Sequence, residues 1–113
     1  MSNSTRRLTL DEEGLLVLLV NKALLTLPEN WKEGILVRSM DDGGMGSLYL
    51  FPNGELNTDR IFGDEVSDFQ FTDEDGVEVI ASLNVDDKGN LFELDVWKTD
   101  FSKLISIPKM LLR

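Results

Sequence analysis

At 113 residues and 42% hydrophobic content, the chain is sized for one domain that buries a single core between two layers. It holds no cysteine and no histidine, which excludes disulfides, thiolate metal sites and cysteine nucleophiles. Histidine-based triads are excluded too, and the commonest general base and zinc ligand are lost. Net charge is −10, and residues 41–95 carry fifteen acids against only Arg60 and Lys88, a balance that repels phosphate backbones and draws a basic protein from a distance.

The first predicted element is a helix from Leu10 to Leu25. Thr9 can cap it, Glu12 stands three residues on as in a capping box, and Asp11, Glu12 and Glu13 suit the positive end of the helix dipole. Leu15, Leu18, Leu19 and Leu25, widened by Leu16 and Ala23, form an apolar face fit to lie on a sheet. The apolar run Leu15 to Val20 is too short to span a membrane or to drive secretion. The chain therefore reads as soluble and cytoplasmic, without a membrane partner. Pro28 ends the helix region, and PENWKEG allows one further turn.

From Ile35 the apolar period becomes two, and strand-like segments are separated by turn signals. ILVRSM and SLYLF read as two strands joined by DDGGMG, followed by a PNGE turn and a loop to Asp64. SDFQF, VEVIASLNV and LFELDVW then form an antiparallel meander across Asp75-Gly76 and the Lys88-Gly89-Asn90 turn. Alternation points Val77, Val79, Ala81, Leu83 and Val85 inward with Phe92, Leu94 and Val96. It points Glu78, Ile80, Ser82, Asn84, Glu93, Asp95 and Trp97 to the opposite face. The tail FSKLISIPKMLLR has the apolar residues to fold back over a sheet edge. The expected architecture is a single α+β domain over residues 1–113: one antiparallel sheet of about five strands, with the N-terminal helix packed on one face.

Few chemistries fit. Glu93 and Asp95 could act as acid and base, but acids this abundant pair by chance and nothing marks a pocket that would split their pKa values. The chain reads as a non-enzyme with no cofactor. DEDG and DDKGN set acids beside glycine, yet an EF-hand register begun at Asp73 fails, placing Gly76 fourth and Asn84 twelfth. No metal site is expected. In MDDGGMGS, the glycines at 43, 44 and 46 could expose backbone N–H groups to an anion, but the Walker lysine is missing and Asp41 and Asp42 repel phosphate. A tight reversal between strands accounts for the glycines better. That reversal would display Asp41, Asp42 and Met45 to a partner.

Protein binding draws the most support. Trp97 beyond Glu93 and Asp95, with Asp68 and Glu78 on neighbouring strands, makes an aromatic anchor in an acidic stripe. Two alternatives stand open: Trp97 ends its strand under the tail as core, and the acids are ordinary solubility charge.

DGGMGSL at 42–48, FTDEDGVEV at 71–79 and LFELDVWKTDFSKL at 91–104 give the chain its family likeness. It resembles a family of small bacterial domains of unassigned function, marked by M-x-D-G-G-M-G-S-L, D-x-D-G-V and E-L-D-x-W-K-x-D-F-S-x-L. Arg7 to Glu12, Met40 to Leu48, Asp73 to Val77 and Glu93 to Leu104 carry the match in order. The resemblance implies no activity. It does imply a context, since such acidic proteins are similar in character to immunity proteins that neutralise toxins in contact-dependent inhibition systems. The expected partner is then a cognate, basic toxin domain, a nuclease, with no direct contact to nucleic acid. A small-molecule or regulatory domain with a cleft between the glycine loop and Trp97 is the alternative.

Overall fold

The computed structural model describes residues 4–109. The expected helix forms over α1, Leu10–Ala23, and its capping box is complete: the Glu12 amide donates to Thr9 Oγ1 (3.2 Å) and the Thr9 amide to Glu12 Oε1 (2.9 Å). It stops two residues before Leu25 because Leu24 enters the left-handed region at φ 56°. The PENWKEG segment makes consecutive turns through Trp31 N–H to Pro28 O and Glu33 N–H to Asn30 O.

Six strands, rather than about five, build one antiparallel sheet: β1 (Thr5–Arg6), β2 (Leu36–Ser39), β3 (Leu48–Phe51), β4 (Phe62–Thr72), β5 (Glu78–Asp86) and β6 (Leu91–Lys98). Their order is β1-β2-β3-β6-β5-β4. The unforeseen strand is β1, two residues long and so without a period to read. Arg6 of β1 also makes two hydrogen bonds to Glu12 (2.7 and 2.9 Å), tying the first strand to the helix. β4 begins at Phe62, inside the stretch expected as loop; two register shifts, at Phe62/Asp64 and Glu65/Ser67, break its alternation.

Helix α1 lies on β4 and β5, where Ser67 Oγ donates to the Leu19 carbonyl (2.7 Å). The core beneath it joins Leu15, Leu16 and Leu19 to Val37, Leu48, Leu50, Val79, Ala81, Leu83, Leu94 and Val96, all essentially without exposure. The tail does fold back, but onto this inner side rather than along an edge. Ile107 enters the core and Leu104 packs on it; the predicted tail from Met110 onward lies outside the described residues.

One face assignment is corrected. A bulge sets Asn84 opposite Glu93 but Val85 opposite Leu91, so Leu91 fills the core position and Phe92 turns to the other face. There Phe92 receives Arg60, whose guanidinium carbon stands 4.9 Å from its ring centre. Arg60 also donates to the carbonyls of Leu50 (2.5 Å) and Leu91 (2.8 Å), spanning the gap where β3 and β6 part.

Candidate functional site

Cross-strand register fixes the outer face. Asp68 pairs with Ser82 and Ser82 with Asp95; Gln70 pairs with Ile80 and Ile80 with Trp97; Asn84 pairs with Glu93 and Glu93 with Tyr49. Residues directly opposite on antiparallel strands share a face. Asp68, Glu78, Glu93, Asp95 and Trp97 are therefore brought together as the alternation predicted. Tyr49, Asp68, Gln70, Thr72, Asp95 and Trp97 are exposed along it.

Trp97 is 44% exposed, which overturns its reading as core under the tail. Its ring centre is 6.1 Å from that of Phe101, itself 70% exposed. Phe101 was missed because no strand period reaches it. It stands in a turn closed by its own N–H to the Lys98 carbonyl (2.8 Å), at φ 64°. Asp100 steadies this turn by accepting from the Ser102 hydroxyl and amide, contacts that hold its carboxyl below the usual range.

The carboxylates differ in freedom. Glu78 accepts from Gln70 Nε2 (2.7 Å) and Thr72 Oγ1 (3.1 Å), so it is oriented. Glu93 is half-buried with Asn84 Nδ2 at 3.4 Å, whereas Asp68 and Asp95 are exposed. Charge on this face is thus carried at its centre by Asp95 and at its β4 margin by Asp68.

The glycine loop is a strand reversal, closed by the Met40 amide to the Ser47 carbonyl (2.9 Å). Asp42 does not project from it. Its carboxylate accepts the amides of Met45 (3.1 Å) and Ser47 (2.9 Å), holding the loop from inside. Asp41 is exposed and Met45 half-buried. Ser47 exchanges hydrogen bonds with the Val96 backbone (2.8 and 3.1 Å) and reaches Asp95 Oδ1 at 3.4 Å, so the loop adjoins the acidic face at its rim. Its other side is covered by the tail: Leu104 donates to the Gly44 carbonyl (3.0 Å). A Cβ on Gly44 would come within 2.9 Å of Lys103 Cγ. Replacing Asp42 with Ala should cost about 2 kcal/mol, read as a lower urea midpoint, while Asp41→Ala should leave the midpoint in place.

Below the loop, the DEDG turn that resembles a cation site already holds a cation. Lys98 Nζ lies 2.8 Å from Asp73 Oδ2, 2.6 Å from Asp75 Oδ2 and 3.1 Å from the Lys103 carbonyl, with no exposure of its side chain. Asp73 also accepts the amides of Glu74, Ile105 and Ser106. Burial pushes the Asp73 carboxyl up, but Lys98 and these three amides outweigh it and bring it down to about 2. Burial likewise disfavours the charged Lys98, and the two aspartates overcome it, leaving its pKa raised.

Three clefts among the described residues involve neither the glycine loop nor Trp97. The two larger ones flank Arg60, one toward Asp86 and Lys88, the other toward Arg38 and Tyr49.

A sheet with one side sealed by helix and tail, and the other open and acidic around exposed aromatics, defines an open-faced α+β fold. The chain belongs to the family described as domain of unknown function DUF6984, whose model matches residues 5–108. No curated protein and no solved structure matches the chain. No described helix is long and apolar enough to cross a membrane.

Proposed function

We propose that the chain is a non-enzymatic, cytoplasmic immunity protein that binds a cognate, basic toxin domain of nuclease class. The outer sheet face, with the Asp41–Gly46 loop at its rim, blocks the toxin's active site or substrate groove. One observation carries the reading: Trp97 stands exposed next to Phe101, on a face that also bears Asp68, Glu78, Glu93 and Asp95. Large aromatics ringed by charge supply the anchors that slow dissociation, while the acidic field speeds encounter with a basic surface.

The test is co-expression with a candidate toxin domain encoded by a reading frame next to this chain's own. The wild type should protect the cell and co-purify with the toxin. Trp97→Ala should weaken the complex about thirtyfold or more, as loss of an anchor worth about 2 kcal/mol would, without altering the melting temperature. Absence of both protection and co-purification refutes the proposal.

A further inference from the structure

On the same face, at the β2–β3 end, the charge reverses. Arg38 lies opposite Tyr49 in the register. Arg38 and Arg60 both lie against Phe51, their guanidinium carbons 5.3 and 5.6 Å from the ring centre. With Tyr49, Thr58 and Phe92 they line a cleft of about 340 Å³. The two arginines are not equivalent. Arg60 is committed to the carbonyls of Asn57, Leu50 and Leu91, with Asp86 3.7 Å from its Nη1. Arg38 has no carboxylate within ion-pairing distance among the described residues. It donates through Nη2 to Thr5 Oγ1 (3.0 Å), and its Nε is buried with no hydrogen-bond partner.

A buried donor left without an acceptor is unfavourable, and a guanidinium fork matches the two oxygens of a carboxylate or phosphate. The surrounding walls are aromatic, the usual lining of a site for a small ligand with a planar body. From this juxtaposition we infer that the Arg38–Tyr49–Phe51 cleft binds a small organic oxyanion. Arg38 takes the charged head, the exposed ring of Tyr49 and the half-buried ring of Phe92 take an aromatic or otherwise planar body, and the buried Phe51 forms the floor under the two arginines. Arg60 holds the back wall rather than the ligand. The cleft shares Tyr49 with the edge of the acidic face but includes neither Trp97 nor Phe101, so the Trp97→Ala and Arg38→Gln variants let either reading fail alone.

Benzoate and phenyl phosphate are the probes, titrated into the full chain and followed by amide and arginine Nε–H resonances. Both should give saturable shifts at Arg38 Nε–H and at the amides of Tyr49, Phe51 and Thr58, with half-saturation on the order of 1 mM. Arg38→Gln should weaken binding about tenfold or more. Thr58→Asp, which adds a like charge at the exposed rim without touching the core, should do the same, and Trp97→Ala should change nothing. Inorganic phosphate should bind more weakly than phenyl phosphate. The inference is overturned if neither probe saturates by about 10 mM, if inorganic phosphate binds as well as phenyl phosphate, or if Arg38→Gln and Thr58→Asp bind as the wild type does.

Discussion

Replacing Lys98 with Ala should lower the melting temperature by about 15 °C. The side chain is wholly buried between Asp73 and Asp75, and its removal strands Asp73, also without exposure, as an unpaired charge inside the protein. The damage spreads because Asp73 is a junction. Its two oxygens fasten the DEDG turn through Glu74 and the tail through Ile105 and Ser106. Asp73→Asn should cost less, since it removes the charge but retains an acceptor. The double variant should lose less than the sum of the two, because each single change leaves the other partner uncompensated. Strict additivity in a double-mutant cycle would show that the pair does not act as one unit.

The same group sets an acid limb. The carboxyl of Asp73 titrates at about 2 in the fold against an ordinary 3.8, so the folded state binds its proton later than the unfolded chain does. Its contribution is complete above the ordinary value and drains away as the pH falls toward 2. Lys98, raised above its ordinary 10.5, contributes below that value and loses its effect only as the pH rises through the raised one. Stability should therefore be flat in this respect across neutral pH. In Asp73→Asn the fall in stability between about pH 4 and pH 2 should be shallower than in the wild type.

Lys98 also shows how much could be read from residues alone. Carried one step past Val96, the alternation that sets Leu94 and Val96 inward puts Lys98 inward too, and an interior lysine demands carboxylates. Asp73 and Asp75 lie in the β4–β5 turn, at the end of the sheet where Lys98 pairs with Val79. The signal was present, but the acids beside glycine suggested an external cation first. The helix start was legible because a capping box is a local pattern, and the two hairpins because turn chemistry is local. The acidic face was legible because period two survives along β5 and most of β6. Phe92 was misplaced at the bulge, where two residues oppose one and parity reverses. Asp42 looked like a displayed acid because nothing in its spacing reveals that its acceptors close on its own loop. Arg60 comes from a segment with no period, and its partners are backbone carbonyls, which have no signature in a sequence.

Gly63→Ala should destabilise the chain by about 3 kcal/mol, more than Gly76→Ala, although Gly76 has the rarer backbone. Gly76 stands at φ +82° in an open turn with nothing within 4 Å of an added Cβ, so alanine there meets only the left-handed penalty of about 1–2 kcal/mol. At Gly63 an added Cβ would clash with the Asp86 carbonyl oxygen and lie 2.6 Å from its carbon and 2.9 Å from the Asp87 nitrogen. All three are backbone atoms, so no side chain can swing aside. The closeness arises because β4 shifts register between Phe62 and Asp64 as it meets the β5–β6 turn, where the Asp87 amide donates to the Ile61 carbonyl (2.9 Å). A methyl group must push that turn away from β4. Asp86 would move with it, and its carboxylate caps the turn through the amides of Lys88 and Asn90 and stands 3.7 Å from Arg60. The back wall of the Arg38 cleft should loosen as a result, so Gly63→Ala should weaken benzoate binding while leaving the Trp97 surface in place. Urea unfolding orders the two variants directly. Equal midpoints for Gly63→Ala and Gly76→Ala would mean that β4 does not press on the Asp86 backbone and that the cleft does not depend on it.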